Sequence, residues 1–582
     1  MAFTTRPVIR GTHGAVAAGH YLAARAGLRM LELGGNAIDA GAAMGFALAL
    51  LMPDRNSIGG ESPILIYSAE HGRVFAINGQ GVAPRAATIE RFREMDIDLI
   101  PGDGFLPATV PSIVDNYITA LAAFGTMPLA EVMAPALEMA REGFPMHGEV
   151  HWHIESKLER WRENYPSTAD VFAPGGRAPE VGELFAQPDW AASMELLVEA
   201  ERKAARRGRT AALRAARDVF YKGEIAQTIV QFARETEVMD ASGKAHSGLL
   251  TEDDFAGYRA RVEDPISTEY RGLAVHKCNT WCQGGVFLQQ LNLLEGFDLA
   301  SMRHNSVDHI HTVIECAKLA FADRNAHYGD PDFVEVPLDR LLSKAYAEER
   351  RKLVDPAKAS MEDRPGDLPP GRKREPKTDP EGPWPTTHGG DTTQCDAIDR
   401  FGNMISITPS GAWFMASPVI PGLGFPLGTR GQMFELDPEH PNCLAPGKRP
   451  RATLTPSLVT KEGKPWMVFG TPGGDCQDQW TLHFFLNHVD FGMNIQEAID
   501  APSCHSEHFR NSFYPRAARP GHMAVEGRID EEVRKGLEAR GHIVEVGGDW
   551  SNGGVLAITF ATDTGLISAA ASPRGEDYAM GW

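Results

Sequence analysis

A change of texture two-thirds of the way along the chain constrains the fold most. Residues 355–391, "DPAKASMEDRPGDLPPGRKREPKTDPEGPWPTTHGGD", are dense in proline, glycine and charge, with few side chains able to build a core. They read as a loop or mobile tail. Before them the apolar residues recur mostly at helical spacing, and after them at strand spacing. The junction itself is "HGGDTTQCDAID" (His388–Asp399), where two threonines open a strand.

Beyond the junction three hairpins are expected, forming one largely antiparallel sheet. "TTQCDAID" and "NMISIT" flank Arg400-Phe401-Gly402, "SLVT" and "PWMVFG" flank Lys461-Glu462-Gly463-Lys464, and "VLAITFAT" and "LISAAA" flank Asp563-Thr564-Gly565. Helical patterns at 475–489 and 529–540 place helices over that sheet. Upstream, "HYLAARAGLRMLEL" (His20–Leu33) reads as a helix stopped by Gly34-Gly35, and Asn36 caps a second that runs to Pro53. Ser62–Gly79 reads as a hairpin about Glu70-His71-Gly72, and 110–144 as two helices broken at Gly125 and Pro128. The basic stretch Glu199–Asp218 reads as one helix with a solvated face, because acidic residues interleave. Ser306–Tyr328 is a further helix, whose His309 and His311 do not share a face and are no metal pair.

At 582 residues the chain has ample length for a large core. Its net charge of -20, with no long Lys/Arg block, argues against nucleic acid or an anionic membrane as partner. The first twenty residues lack the apolar run of a secretory signal, and "GAAMGFALALLM" (Gly41–Met52) is too short to span a bilayer, which points to a cytoplasmic protein. Seven cysteines without regular spacing make no disulfide framework. Cys278 and Cys282 have no second pair or histidine nearby, so zinc is not expected. No cofactor is implied.

A threonine directly after a flexible segment has one well-defined chemical use. Its hydroxyl is a weak nucleophile unless a base stands beside it, and its own α-amine, freed by cleavage of the preceding bond, can be that base. An α-amine titrates at about 8, near working pH. Attack on an acyl carbon also requires donors for the oxyanion. Gly473-Gly474, in "VFGTPGGDCQDQW", lies after a strand and before a helix, where backbone N–H groups are unpaired. A tight turn is the plainer reading of the glycines, and a strand start of the threonines. The spacing fits neither a dinucleotide-binding nor a Walker loop.

Several blocks together resemble the γ-glutamyltransferase family of N-terminal-nucleophile hydrolases. "ELGGNAIDAGAAMGFALALLMPDRNSIGG" (Glu32–Gly60), "LTEDDFAGYRARVEDPISTEYRG" (Leu250–Gly272), "LNLLEGFDL" (Leu291–Leu299) and "AKLAFADRNAHYGDPDF" (Ala317–Phe333) look like its large subunit. "APGKRPRATLTPSLV" (Ala445–Val459), "GTPGGD" (Gly470–Asp475) and "DFGMNIQEAIDAP" (Asp490–Pro502) look like its small one. The resemblance implies an α+β, four-layer αββα sandwich with mainly antiparallel sheets and a helical region in the large subunit. It implies a proenzyme cut between Asp391 and Thr392 into subunits of about residues 1–391 and 392–582, which stay together as a heterodimer or a dimer of heterodimers. By motif match Thr392 is the nucleophile, Gly473 and Gly474 the oxyanion hole, and Ser410 the hydroxyl that bonds the nucleophile. Gln432 and Glu435 match contacts to the substrate's amino group.

The departures from the family pattern concern the substrate. Ile89 stands where glutathione-cleaving members have an arginine for the α-carboxylate; a serine pair becomes Ala452-Thr453, and an asparagine becomes Ala412. Thr453 stays a substrate-contact candidate. Carboxylate recognition would have to be rebuilt, and Arg430 and Arg451 are the candidates, each equally readable as a structural ion pair. "GTRGQMFELDP" and "GGDCQDQWTL" look most like a bacterial γ-glutamyltransferase-like subgroup that includes oxamate amidohydrolases. The expected activity is therefore hydrolysis of a small carboxylate-bearing amide. The alternatives are γ-glutamyl hydrolysis or transfer and, without catalysis, an unprocessed binding or scaffold protein.

Overall fold

The computed structural model describes residues 3–369 and 391–582. Most of the expected tail lies outside the described residues. Two seven-stranded antiparallel sheets dominate. The first runs, in spatial order, Ile9–Gly11, Leu566–Ala571, Leu556–Ala561, Lys464–Gly470, Ser457–Lys461, Leu273–Lys277 and Ile266–Tyr270. The second runs Tyr578–Gly581, Gly14–Ala18, Cys395–Asp399, Met404–Ile407, Ile64–Ser68, Arg73–Asn78 and Arg261–Glu263.

The layers follow from the two-residue alternation of strands. Ala15, Ala17, Leu65 and Tyr67 of the second sheet share a buried core with Leu458, Val468, Leu556 and Ile567 of the first. Their neighbours Val16, Ala18, Ile64 and Ile66 point the other way, into a cluster with Met30, Phe46 and Leu50 from helices Tyr21–Glu32 and Ala37–Leu51. On the far side Val459, Met467 and Phe469 meet Phe287, Leu291 and Phe485 from helices Gly285–Leu294 and Gln477–Val489. The result is the αββα sandwich, with further helices over 113–235 packed beside it.

Two sequence readings are corrected. The three C-terminal hairpins do not make one sheet: Cys395–Asp399 with Met404–Ile407 joins the second, while the other two join the first. The two sheets must face each other, and a single run of hairpins cannot supply both faces. The basic stretch is two helices, Pro188–Ala204 and Arg209–Lys222, separated at Gly208, whose φ of 91° a helix cannot accommodate. Nor is its basic face all solvated, since Arg217 is buried against Asp115 at 2.7 Å. The caps agree with the sequence reading: Asn36 accepts from the backbone N–H groups of Ile38 and Asp39, and Ser306 from that of His309.

Candidate active site

Thr392 stands just ahead of strand Cys395–Asp399 and continues its line through an antiparallel bridge to Ser410. It is 2% exposed. Its Oγ1 donates to Ser410 Oγ at 3.1 Å. Ser410 Oγ in turn accepts from Arg430 Nη2 at 2.7 Å and donates to the carbonyl oxygen of Asp391 at 3.1 Å. One hydroxyl thus uses its single donor and both acceptor positions. Arg430 is itself held by the Glu61 carboxylate, and both side chains are buried.

The glycine pair is positioned by the end of strand Lys464–Gly470. Gly473 has φ 115° and Gly474 φ 54°, a region that disfavours side chains. A Cβ on Gly473 would lie 2.1 Å from the Trp480 ring, and one on Gly474 would lie 2.7 Å from the Phe513 ring. The Gly473 N–H donates to Asp391 Oδ1 at 3.0 Å. The fold therefore brings a glycine amide to the residue adjoining Thr392, from 82 positions away in sequence.

Arg55 collects the acids at this end of the site. Its Nη2 donates to both oxygens of Glu149 at 2.7 and 2.8 Å, and Nη1 lies 3.7 Å from Asp391 Oδ2. Burial pushes the Asp391 carboxyl up to about 6, against the pull of Arg55. Burial, with Glu149 nearby, pushes Asp54 up to about 8. Asp54, Glu149 and His153 could offer three atoms to a metal ion. However, Asp54 carries a proton at neutral pH and both Glu149 oxygens already bond Arg55, so the donor set fits a cation poorly.

On the other side of the glycines Asp475 pairs with Arg324 and accepts from Ser512 N and Oγ, each at 2.7 Å. Arg451 Nη1 donates to the same Ser512 hydroxyl at 2.8 Å. Arg324, Arg451, Arg510 and Arg516 line a small crevice of about 20 Å³ with Glu435 and Asn511. Burial, and then the guanidinium of Arg324, push Arg451 well down from its ordinary value. A larger cavity of about 210 Å³ opens beside Asp391 and Gly473, lined also by Trp480, His505, Asn552 and Arg574.

The remaining expected contacts are partly engaged within the protein. Glu435 pairs with Arg510 and Arg516. Gln432 donates to Gly102 O and Thr429 O and accepts from Tyr514 N. Arg430 is committed to Glu61 and Ser410, which leaves Arg451 as the less satisfied of the two candidate arginines. The Thr453 hydroxyl is buried and has no hydrogen-bond partner among the described residues. Ile89 begins a short helix and is buried in an apolar cluster with Phe92, Leu106 and Phe434. The sequence reading missed Arg55, Glu61 and Trp413, which meet the site only through folding.

Two facing antiparallel sheets between helical layers, with a threonine leading a central strand, define a fold of the N-terminal-nucleophile hydrolase type. The chain belongs to the gamma-glutamyltranspeptidase family, whose family model matches residues 23–582. It is similar to the "Glutathione hydrolase-like YwrD proenzyme" of Bacillus subtilis (strain 168), at 33% identity covering 98% of this chain and 99% of the relative. Among solved structures it resembles LmbA2991HD, at 43% identity and a TM-score of 0.94, with all of both chains covered. It also resembles the cephalosporin acylase from Bacillus halodurans, at 31% identity and a TM-score of 0.83, covering 100% of this chain and 98% of that one.

Proposed function

We propose that this chain is a self-processing amidohydrolase in which Thr392, freed by cleavage after Asp391, attacks the carbonyl of a small carboxylate-bearing amide. One observation carries the reading: the Thr392 hydroxyl is hydrogen-bonded to Ser410 while the Gly473 N–H reaches the adjoining residue. The proposed nucleophile and the proposed oxyanion donor thus both border Asp391, whose place a substrate acyl group would take after the cut. The freed α-amine takes the hydroxyl proton, Gly473 and Gly474 hold the oxyanion, the amine leaves, and water releases the acid from the acyl-enzyme.

Arg451 is the proposed carboxylate partner. A guanidinium keeps its proton in proteins, so burial beside other guanidiniums makes an anionic ligand favourable there. Gln432, Glu435 and Thr453 are proposed to orient the rest of the acyl group, and the cavity beside Gly473 to take the leaving amine. The paired residues 1–391 and 392–582 act as one catalytic unit. Within the described residues no helix is long and apolar enough to cross a membrane; a cytoplasmic setting is part of the proposal.

The test compares ammonia release from oxamate and related amides with chromophore release from a γ-glutamyl anilide. Faster turnover of the anilide would replace the proposal with γ-glutamyl hydrolysis or transfer, the reading that the glutathione hydrolase-like relative favours. In parallel, Thr392→Ala is expected to remain one chain by intact mass and to release no ammonia. Cleavage that persists in that variant would remove Thr392 from the mechanism.

A further inference from the structure

The carbonyl of the Asp391–Thr392 bond is held by two side-chain donors, neither of them a glycine amide. Its oxygen lies 2.6 Å from the indole Nε1 of Trp413 and 3.1 Å from Ser410 Oγ. The glycine amide proposed for substrate is not among them: Gly473 N–H bonds the side chain of Asp391, at Oδ1, and Arg55 faces the other carboxylate oxygen. Backbone carbonyl and side-chain carboxylate of the same residue therefore rest on two separate donor sets.

We propose that Trp413 is a catalytic residue of self-cleavage, its indole N–H and the Ser410 hydroxyl forming an oxyanion hole for the Asp391 carbonyl, while the Asp391 carboxylate blocks Gly473 until the chain is cut. The inference rests on Thr392 being the nucleophile of its own release. Thr392 Oγ forms a bond to the Asp391 carbonyl carbon, and the negative charge gathers on the oxygen that Trp413 and Ser410 hold. The carbon–nitrogen bond then breaks, and the hydroxyl proton ends on the Thr392 nitrogen, now a free amine. Water hydrolyses the resulting ester to the Asp391 carboxylate and the Thr392 hydroxyl.

The surroundings suit that charge. Trp413 is 1% exposed, so its N–H acts away from water, where a donor aimed at developing charge counts most. The Arg430 guanidinium lies 5.1 Å from the Trp413 ring centroid and bonds Ser410, adding positive charge behind both donors. The indole N–H is also 2.9 Å from the Arg55 carbonyl. A shared donor shifts toward the stronger acceptor as the oxyanion forms, and it returns to Arg55 once Asp391 departs. The indole N–H therefore keeps an acceptor after the cut, while the Gly473 N–H is released for substrate.

The experiment is a cleavage time course on full-length chain made by cell-free synthesis and read by intact mass. Trp413→Phe removes the donor but also changes packing. A second variant carries 3-benzothienylalanine at position 413, which keeps the indole's shape and has no N–H. The benzothienyl chain is expected to cut on the order of 100-fold more slowly than wild type, the effect of losing one oxyanion donor, with the melting temperature of uncut chain unchanged. Cutting at the wild-type rate overturns the role of Trp413. A wild-type chain that never cuts overturns instead the reading of Thr392 on which this rests.

Discussion

At the scale of single residues, the site depends on a few side chains whose neighbours leave them one remaining task. Arg451 is the clearest case, buried among Arg324 and Arg516 with a serine hydroxyl as its bonded partner. Arg451→Met is expected to raise KM for the carboxylate-bearing amide at least about tenfold with a smaller change in kcat, because a ground-state contact is lost. Steady-state kinetics on the cut enzyme measures it, and an unchanged KM would assign Arg451 to structure alone. The strand start at Thr392 and the turn at Gly473-Gly474 were legible in the sequence, the first from the change of texture before it and the second from its place between a strand and a helix. The roles proposed for them come from the family resemblance. Trp413 and Arg55 were not legible. Trp413 reaches Asp391 across 22 positions and Arg55 reaches Glu149 across 94, and neither carries a local pattern. Ile89 reads as a lost carboxylate contact, and its surroundings are an apolar cluster.

Elements explain what positions these residues and what that positioning costs. Strand Cys395–Asp399, which carries the line of Thr392 into the sheet, is buried along its whole length and includes an acid at Asp396. Burial pushes that carboxyl up to about 8, although Gln394 and Ser406 hydrogen-bond there. The folded chain thus holds a proton that the unfolded chain releases near the ordinary carboxylate value. Stability from this group falls as pH rises from about 4 to about 8 and stays low above it. Asp396→Asn is expected to raise the melting temperature at pH 9, leave it nearly unchanged at pH 4, and flatten the slope between. Parallel wild-type and variant curves would assign that pH dependence to other buried acids, among them Asp54 and Asp577. The strands and their turns were legible from alternation and glycine. Their division between two sheets was not, because alternation states which residues share a face but not which sheet that face meets.

For the whole molecule, the proposed cut after Asp391 would divide a structure whose sheets are shared. In the first sheet, four strands of residues 392–582 lie between strands of residues 1–391 on both sides. In the second, Gly14–Ala18 is inserted between Tyr578–Gly581 and Cys395–Asp399. Parting the pieces means breaking whole ladders and exposing the common core. The cut protein is expected to elute as one particle and to melt in a single transition, giving two chains only under denaturing conditions. Size-exclusion chromatography and calorimetry check this, and two separate transitions would show that the pieces hold independently. The inserted strand also changes the order of refolding. In an uncut chain its meeting with Cys395–Asp399 is a first-order search by tethered ends, whereas after the cut it is a second-order encounter between two molecules. Refolding of Thr392→Ala from denaturant should therefore proceed at a rate independent of protein concentration, while recovery of the cut enzyme should fall on dilution.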